Sequence, residues 1–110
     1  MKLLSKLLLV CLLLSFGLSN AQINPEKKAN RISKKMKKAL SLSKKETKDI
    51  YELQYNMVVK GNEIREKYAD QPELKKKMLT QHGKDIYNQL KAYLGPERLK
   101  QWREWKKQNK

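Results

Sequence analysis

One cysteine and one histidine in 110 residues exclude more chemistry than any motif here supplies. A structural metal site or a disulfide framework draws on several such side chains at fixed spacings, and His82 and Cys11 are single. Cys11 also sits in the middle of the only long apolar run, Leu7 to Leu18. Lys2 and Lys6 precede that run, and Ser19 and Ala21 follow it with the small side chains a signal peptidase takes, so residues 1–21 read as a cleaved secretory signal peptide. The run has 12 residues, too few to cross about 30 Å of hydrocarbon as a helix. Val10 is too large for the position before a lipidated cysteine. The expected product is a single thiol-free domain, residues 22–110, in the periplasm or secreted, held by packing alone.

Strand signals and catalytic sets are scarce as well. No run alternates Val, Ile or Thr, only three prolines and four glycines punctuate the chain, and no glycine-rich phosphate loop, Ser/His/Asp set or close pair of acids is visible. An enzyme and a bound cofactor are therefore not expected. His82 falls within an apolar stripe and reads as a packed histidine rather than a metal ligand.

What remains is helix after helix. Asn24-Pro25-Glu26 is an N-cap followed by proline at the first helical position, and Ala29, Ile32, Met36, Ala39 and Leu40 recur at helical spacing behind it. Ser43 and Glu46 form a Ser-x-x-Glu capping box for a second helix that runs to about Tyr68, with Ile50, Leu53, Met57, Ile64 and Tyr68 as its stripe. A second flank of that helix, Tyr51, Tyr55 and Val58, lies about 100° away and is the expected dimer interface. Asp70-Gln71-Pro72-Glu73 reads as an Asp-x-x-Glu cap opening a third helix with an apolar stripe from Leu74 to Leu94, and Gly95-Pro96 opens a short fourth with Leu99, Trp102 and Trp105. The fold class is all-α: four helices with a long central hairpin. So small a core argues for a homodimer.

Charge is the strongest signal of composition. Without Lys2 and Lys6 the net charge falls from +15 to +13, and nine basic residues against one acid lie between Gln22 and Lys45. Arg31, Lys34, Lys35, Lys37 and Lys38 surround the first helix beside Ile32 and Met36, and this surface is the expected site for unfolded clients or polyanions, attracted by charge and held by weak apolar contact. Phospholipid head groups and lipopolysaccharide fit the charge; nucleic acid does too, but export argues against it as a natural partner.

Two stretches echo each other: LSKKETKDIYEL from Leu42 and LGPERLKQWREW from Leu94. Leu42 matches Leu94, Ile50 matches Trp102, and Leu53 matches Trp105, each at a break between helices. Their opening pentapeptides, Leu42-Ser43-Lys44-Lys45-Glu46 and Leu94-Gly95-Pro96-Glu97-Arg98, resemble the paired LTxxQ motifs of the Spy/CpxP family of small bacterial envelope proteins. Both keep Leu, Ser43 stands in for Thr, and Glu46 and Arg98 replace the Gln. The resemblance covers the region after residue 21 in size and helix order. It implies a cradle-shaped homodimer that holds unfolded envelope proteins without ATP or acts on a stress-sensor kinase, and one relative of that family binds metal.

Overall fold

The computed structural model describes residues 22–110, so the expected signal peptide and Cys11 lie outside the described residues. Those described form four helices: α1 (Pro25–Leu40), α2 (Lys44–Lys67), α3 (Pro72–Leu94) and α4 (Pro96–Gln108). The fold class is all-α and the shape elongated, since 24 residues of α2 alone extend about 36 Å at 1.5 Å per residue.

The helices start and stop where short-range chemistry directs them. Asn24 accepts from the Lys27 backbone N–H at 3.1 Å, ahead of Pro25. Ser41 takes a left-handed conformation (φ 53°) after Leu40, and the backbone N–H groups of Ser41 and Leu42 both donate to the Lys37 carbonyl. That turn folds Leu42 back into the core beside Met36 and Leu40. In α2 the capping box is complete: Glu46 N–H donates to Ser43 Oγ at 3.1 Å, and Ser43 N–H donates to Glu46 Oε1 at 3.0 Å. Gly95 ends α3 and begins α4 at φ 88°, a value L side chains rarely adopt, with Pro96 following it.

One expected cap is corrected. Gln71, not Asp70, precedes α3, and its side chain makes no capping bond. A turn at Tyr68 to Gln71 uses up the chain before Asp70 can reach the first turn of α3, and proline at the first helical position has no N–H to cap.

The core gathers at one end of the molecule. Met36, Leu40, Leu42, Ile50, Leu90, Leu94, Leu99 and Trp102 form it, so it joins the end of α1, the start of α2, the end of α3 and most of α4. Its periphery carries Ile32, Ala39, Leu53, Ile86 and Trp105. All three apolar matches of the repeat therefore meet in this one cluster or at its edge. Towards the α2–α3 turn burial thins: Leu74 is 36% exposed, and α3 buries only Leu90 and Leu94 fully.

Two further expectations change here. The buried line of α2 is Ile50, Gln54, Val58, Gly61 and Ile64, because α1 packs along that face. Val58, at 3% exposure, is therefore interior and not part of a free dimer flank, while Tyr51 and Tyr55 are half-buried with ring centroids 6.2 Å apart. Met36 has no exposed surface, so it is a core side chain and not a grip for partners.

At the far end α1 is anchored by polar contacts. Ile23 N–H donates to Asn62 Oδ1 (3.1 Å), and Asn62 Nδ2 donates back to the Ile23 carbonyl (2.7 Å). His82 Nε2 donates to the Met57 carbonyl at 2.9 Å, tying α3 to α2.

Truncating either junction leucine, Leu42→Ala or Leu94→Ala, should lower unfolding free energy by about 2–5 kcal/mol, read from urea titrations. Ser41→Gly relieves the left-handed turn and should raise it by about 0.5–1 kcal/mol in the same assay. A junction that is merely a tether predicts no change for all three.

Candidate functional site

The two family-like pentapeptides meet in space. Arg98 Nη1 lies 2.8 Å from Glu46 Oε2, and Arg98 Nη2 donates at 3.4 Å to Glu46 Oε1. The residues that close the two pentapeptides are thus each other's partners. The same guanidinium reaches the Leu40 carbonyl at 3.5 Å, near the end of α1, so one side chain touches three helices' ends. Glu97, its neighbour in the motif, is exposed. Beside this pair Tyr93 donates to Asp49 Oδ2 at 2.6 Å, and Lys45 lies 3.1 Å from the same oxygen.

These bonds move the protonation equilibria. The Arg98 guanidinium, and next the Ser43 backbone N–H, hold the Glu46 carboxyl at about 2 instead of 4.5. Asp49 is lowered, first by the Tyr93 hydroxyl and then by Lys45, and the bond to Asp49 raises Tyr93 to about 12. A carboxyl whose folded pKa is depressed contributes stability above pH 4.5 that is lost as pH falls towards 2. Tyr93 has the opposite sign, contributing below pH 10 and losing that as pH rises towards 12. The pair fastens the fold and is one-third exposed on each side.

A second feature is a groove of about 760 Å³ to which all four helices contribute. Ile32 from α1, Met57 from α2, Ile86 and Leu90 from α3, and Trp102 and Trp105 from α4 make it apolar. Its edges carry Arg31 and Lys35 on one side and Arg103, Lys106 and Lys107 on the other, and no Asp or Glu side chain lines it. Trp102 and Trp105 stack with centroids 5.5 Å apart and planes 14° from parallel, Lys106 Nζ sits 5.3 Å over the Trp102 ring, and the Arg103 guanidinium lies 6.0 Å from the Tyr87 ring centroid. Gln54 lines the groove as well, at 3% exposure, and its Oε1 accepts from no protein donor.

The expected site residues divide around this groove. Arg31, Lys34, Lys35, Lys37 and Lys38 are all exposed, but only Arg31 and Lys35 line it. Ile32 is half-buried and lines it, whereas Met36 lies beneath in the core. Sequence reasoning missed the α4 edge and Gln54. A signal for the former was available: Arg103, Lys106 and Lys107 fall on one face at helical spacing, directly beside two tryptophans. Among the described residues no cluster of three or more His, Cys, Asp or Glu is placed to hold a metal ion, and no helix is long and apolar enough to cross a membrane.

The chain matches no family model, no curated protein and no solved structure.

Glu46→Gln keeps a side chain able to complete the capping box while deleting the charge. The variant should unfold more readily than the parent at pH 7 and lose less stability between pH 4.5 and 2, because the parent alone must protonate Glu46 against Arg98. Parallel pH–stability curves for the two proteins would show that the contact contributes nothing to the fold.

Proposed function

We propose that the chain is a non-catalytic binding module of the bacterial envelope, of Spy/CpxP type, exported by residues 1–21 to the periplasm and holding unfolded or misfolded envelope proteins without ATP. The observation that carries the reading is the exposed cationic surface of α1, where Arg31 and Lys35 edge an apolar groove beside half-buried Ile32 and no Asp or Glu side chain lines it. Exposed Lys34, Lys37 and Lys38 extend that positive surface beyond its edge. Long-range attraction brings a partner in, and shallow apolar contact holds it loosely enough to release it without an energy source. The paired junctions support the family assignment: Leu42 and Leu94 share one core, and Glu46 and Arg98 stand together where the motif has glutamines. A stress-sensor kinase is a second partner that the family assignment brings with it.

The module works as a homodimer in this reading. Tyr51 and Tyr55 on α2, with the under-covered start of α3 around Leu74, supply apolar surface for it. Sedimentation at micromolar concentration should return twice the mass of residues 22–110; a compact monomer removes the dimer from the proposal.

The alternative is adsorption to polyanions such as lipopolysaccharide or anionic head groups, favoured by the exposed lysines of α1. Salt separates the two. At 1 M the Debye length shrinks to about 3 Å, so polyanion binding collapses while apolar holding partly survives.

Replacing Lys34, Lys35, Lys37 and Lys38 with Gln retains helix propensity and removes four charges from exposed positions. The variant should melt near the parental temperature, capture unfolded client severalfold more slowly at low salt and approach the parent at high salt. Stopped-flow capture at the parental rate in low salt would reduce the charges to a solubility coat.

A further inference from the structure

A peptide is not the ligand that the groove's interior fits best. An extended chain carries an N–H and a C=O at every residue, and each one placed against Ile32, Ile86, Leu90, Trp102 and Trp105 loses water without gaining a partner. The interior offers few polar groups in return: Gln54 is 3% exposed, and its unpartnered Oε1 is closed off from solvent. A hydrocarbon chain brings no polar atoms along its length. Its burial here is favourable throughout, in a space that falls within the 300–1,000 Å³ of ordinary small-molecule sites. The edges then require a negative head, because Arg31, Lys35, Arg103, Lys106 and Lys107 face no carboxylate side chain across the groove.

We infer that the groove between α1 and α4 binds a single-chain anionic lipid of lysophospholipid type, its acyl chain along the tryptophan-lined interior and its phosphate among the edge cations. Two independent observations converge on it. The apolar lining selects the chain, and the one-signed edge selects the head. A two-chain lipid has twice the hydrocarbon to cover. The site uses the groove's own chemistry and does not depend on whether unfolded proteins are held on the α1 surface.

Trp102 and Trp105 are the only tryptophans in the chain and both line the groove, so the protein reports its own occupancy. Titrating residues 22–110 with palmitoyl lysophosphatidylglycerol below its micelle concentration should give a saturable blue shift of the emission at one lipid per chain. Lysophosphatidylcholine with the same acyl chain should bind about tenfold or more weakly, and glycerophosphate without a chain should not shift the emission. Lys106→Gln with Lys107→Gln, both exposed, should leave the fold intact and weaken the anionic lipid severalfold, within the range of exposed charge contacts. Gln54→Leu removes a buried unpartnered oxygen and should raise the melting temperature without weakening lysophosphatidylglycerol. Equal binding of the two lysolipids, or a shift seen only above the micelle concentration, overturns the inference. So does an acidic, apolar unfolded peptide that shifts the tryptophans and cannot be displaced by the lipid. A parent protein that binds the lipid but captures no unfolded client removes the client reading alone, and one that captures client but gives no saturable lipid shift removes this inference alone.

Discussion

The fold depends on one meeting point, where the α1–α2 and α3–α4 junctions are brought into the same core. An 89-residue region of long helices has little interior, and most of it lies here, in eight buried side chains drawn from all four helices and the α1–α2 junction. Leu42 and Leu94 enter from the two junctions, and the Glu46–Arg98 pair fastens the starts of α2 and α4 just outside. Exposed ion pairs contribute modestly as a rule, but this one is bidentate, contacts the end of α1 through Leu40 O, and uses a carboxylate already held by a capping box. Remove the meeting point and α4 has little left to hold it, since it touches only α1 and α3 extensively.

The groove follows from that arrangement. Short α4 docks by Leu99 and Trp102 and leaves Trp105 at the periphery, so the interval between α4 and the α1–α3 surface stays open and apolar. The C-terminal turn of α4 carries Lys106 and Lys107, where cations also complement the helix dipole. The same two lysines therefore suit the helix end and set the sign of the groove's edge. On the opposite side Arg31 and Lys35 are outward positions of a helix whose inward positions, Ala29, Ser33, Met36 and Leu40, are buried.

Much of the fold was legible because its signals are local. Asn24-Pro25, Ser43-x-x-Glu46 and Gly95-Pro96 each set a helix end through bonds within four residues, and all three act at those ends. Asp70 misled because the same pattern needs a backbone turn that the chain does not take there. Rotation of helices about their axes is a tertiary property, and periodicity left it open: α2 has apolar residues on two flanks, and only the packing of α1 decides that Val58 and Gln54 face inward while Leu53 and Met57 lie to one side. Met36 was misplaced for the same reason. The Arg98–Glu46 contact spans 52 residues, and no spacing rule on one helix could reveal it, although the opposite charges that close the two matching pentapeptides were the available hint. Of the candidate site, the α1 cations were readable from composition and the α4 cations from their spacing beside the tryptophans; that both edge one groove, and that Gln54 lines it, emerges only when four helices are assembled.

Native-state amide hydrogen exchange tests the central claim most directly. If the two junctions build the structure, the slowest amides lie in the last turns of α1 and α3 and in α2 and α4 around Ile50 and Trp102, while amides flanking the α2–α3 turn at Tyr68 to Gln71 open at far lower free energy. Glu46→Gln should speed exchange at the junction amides more than at the Asn62 end of α2. Strongest protection around the α2–α3 turn, with the α4 amides exchanging as freely as a frayed terminus, would contradict the account.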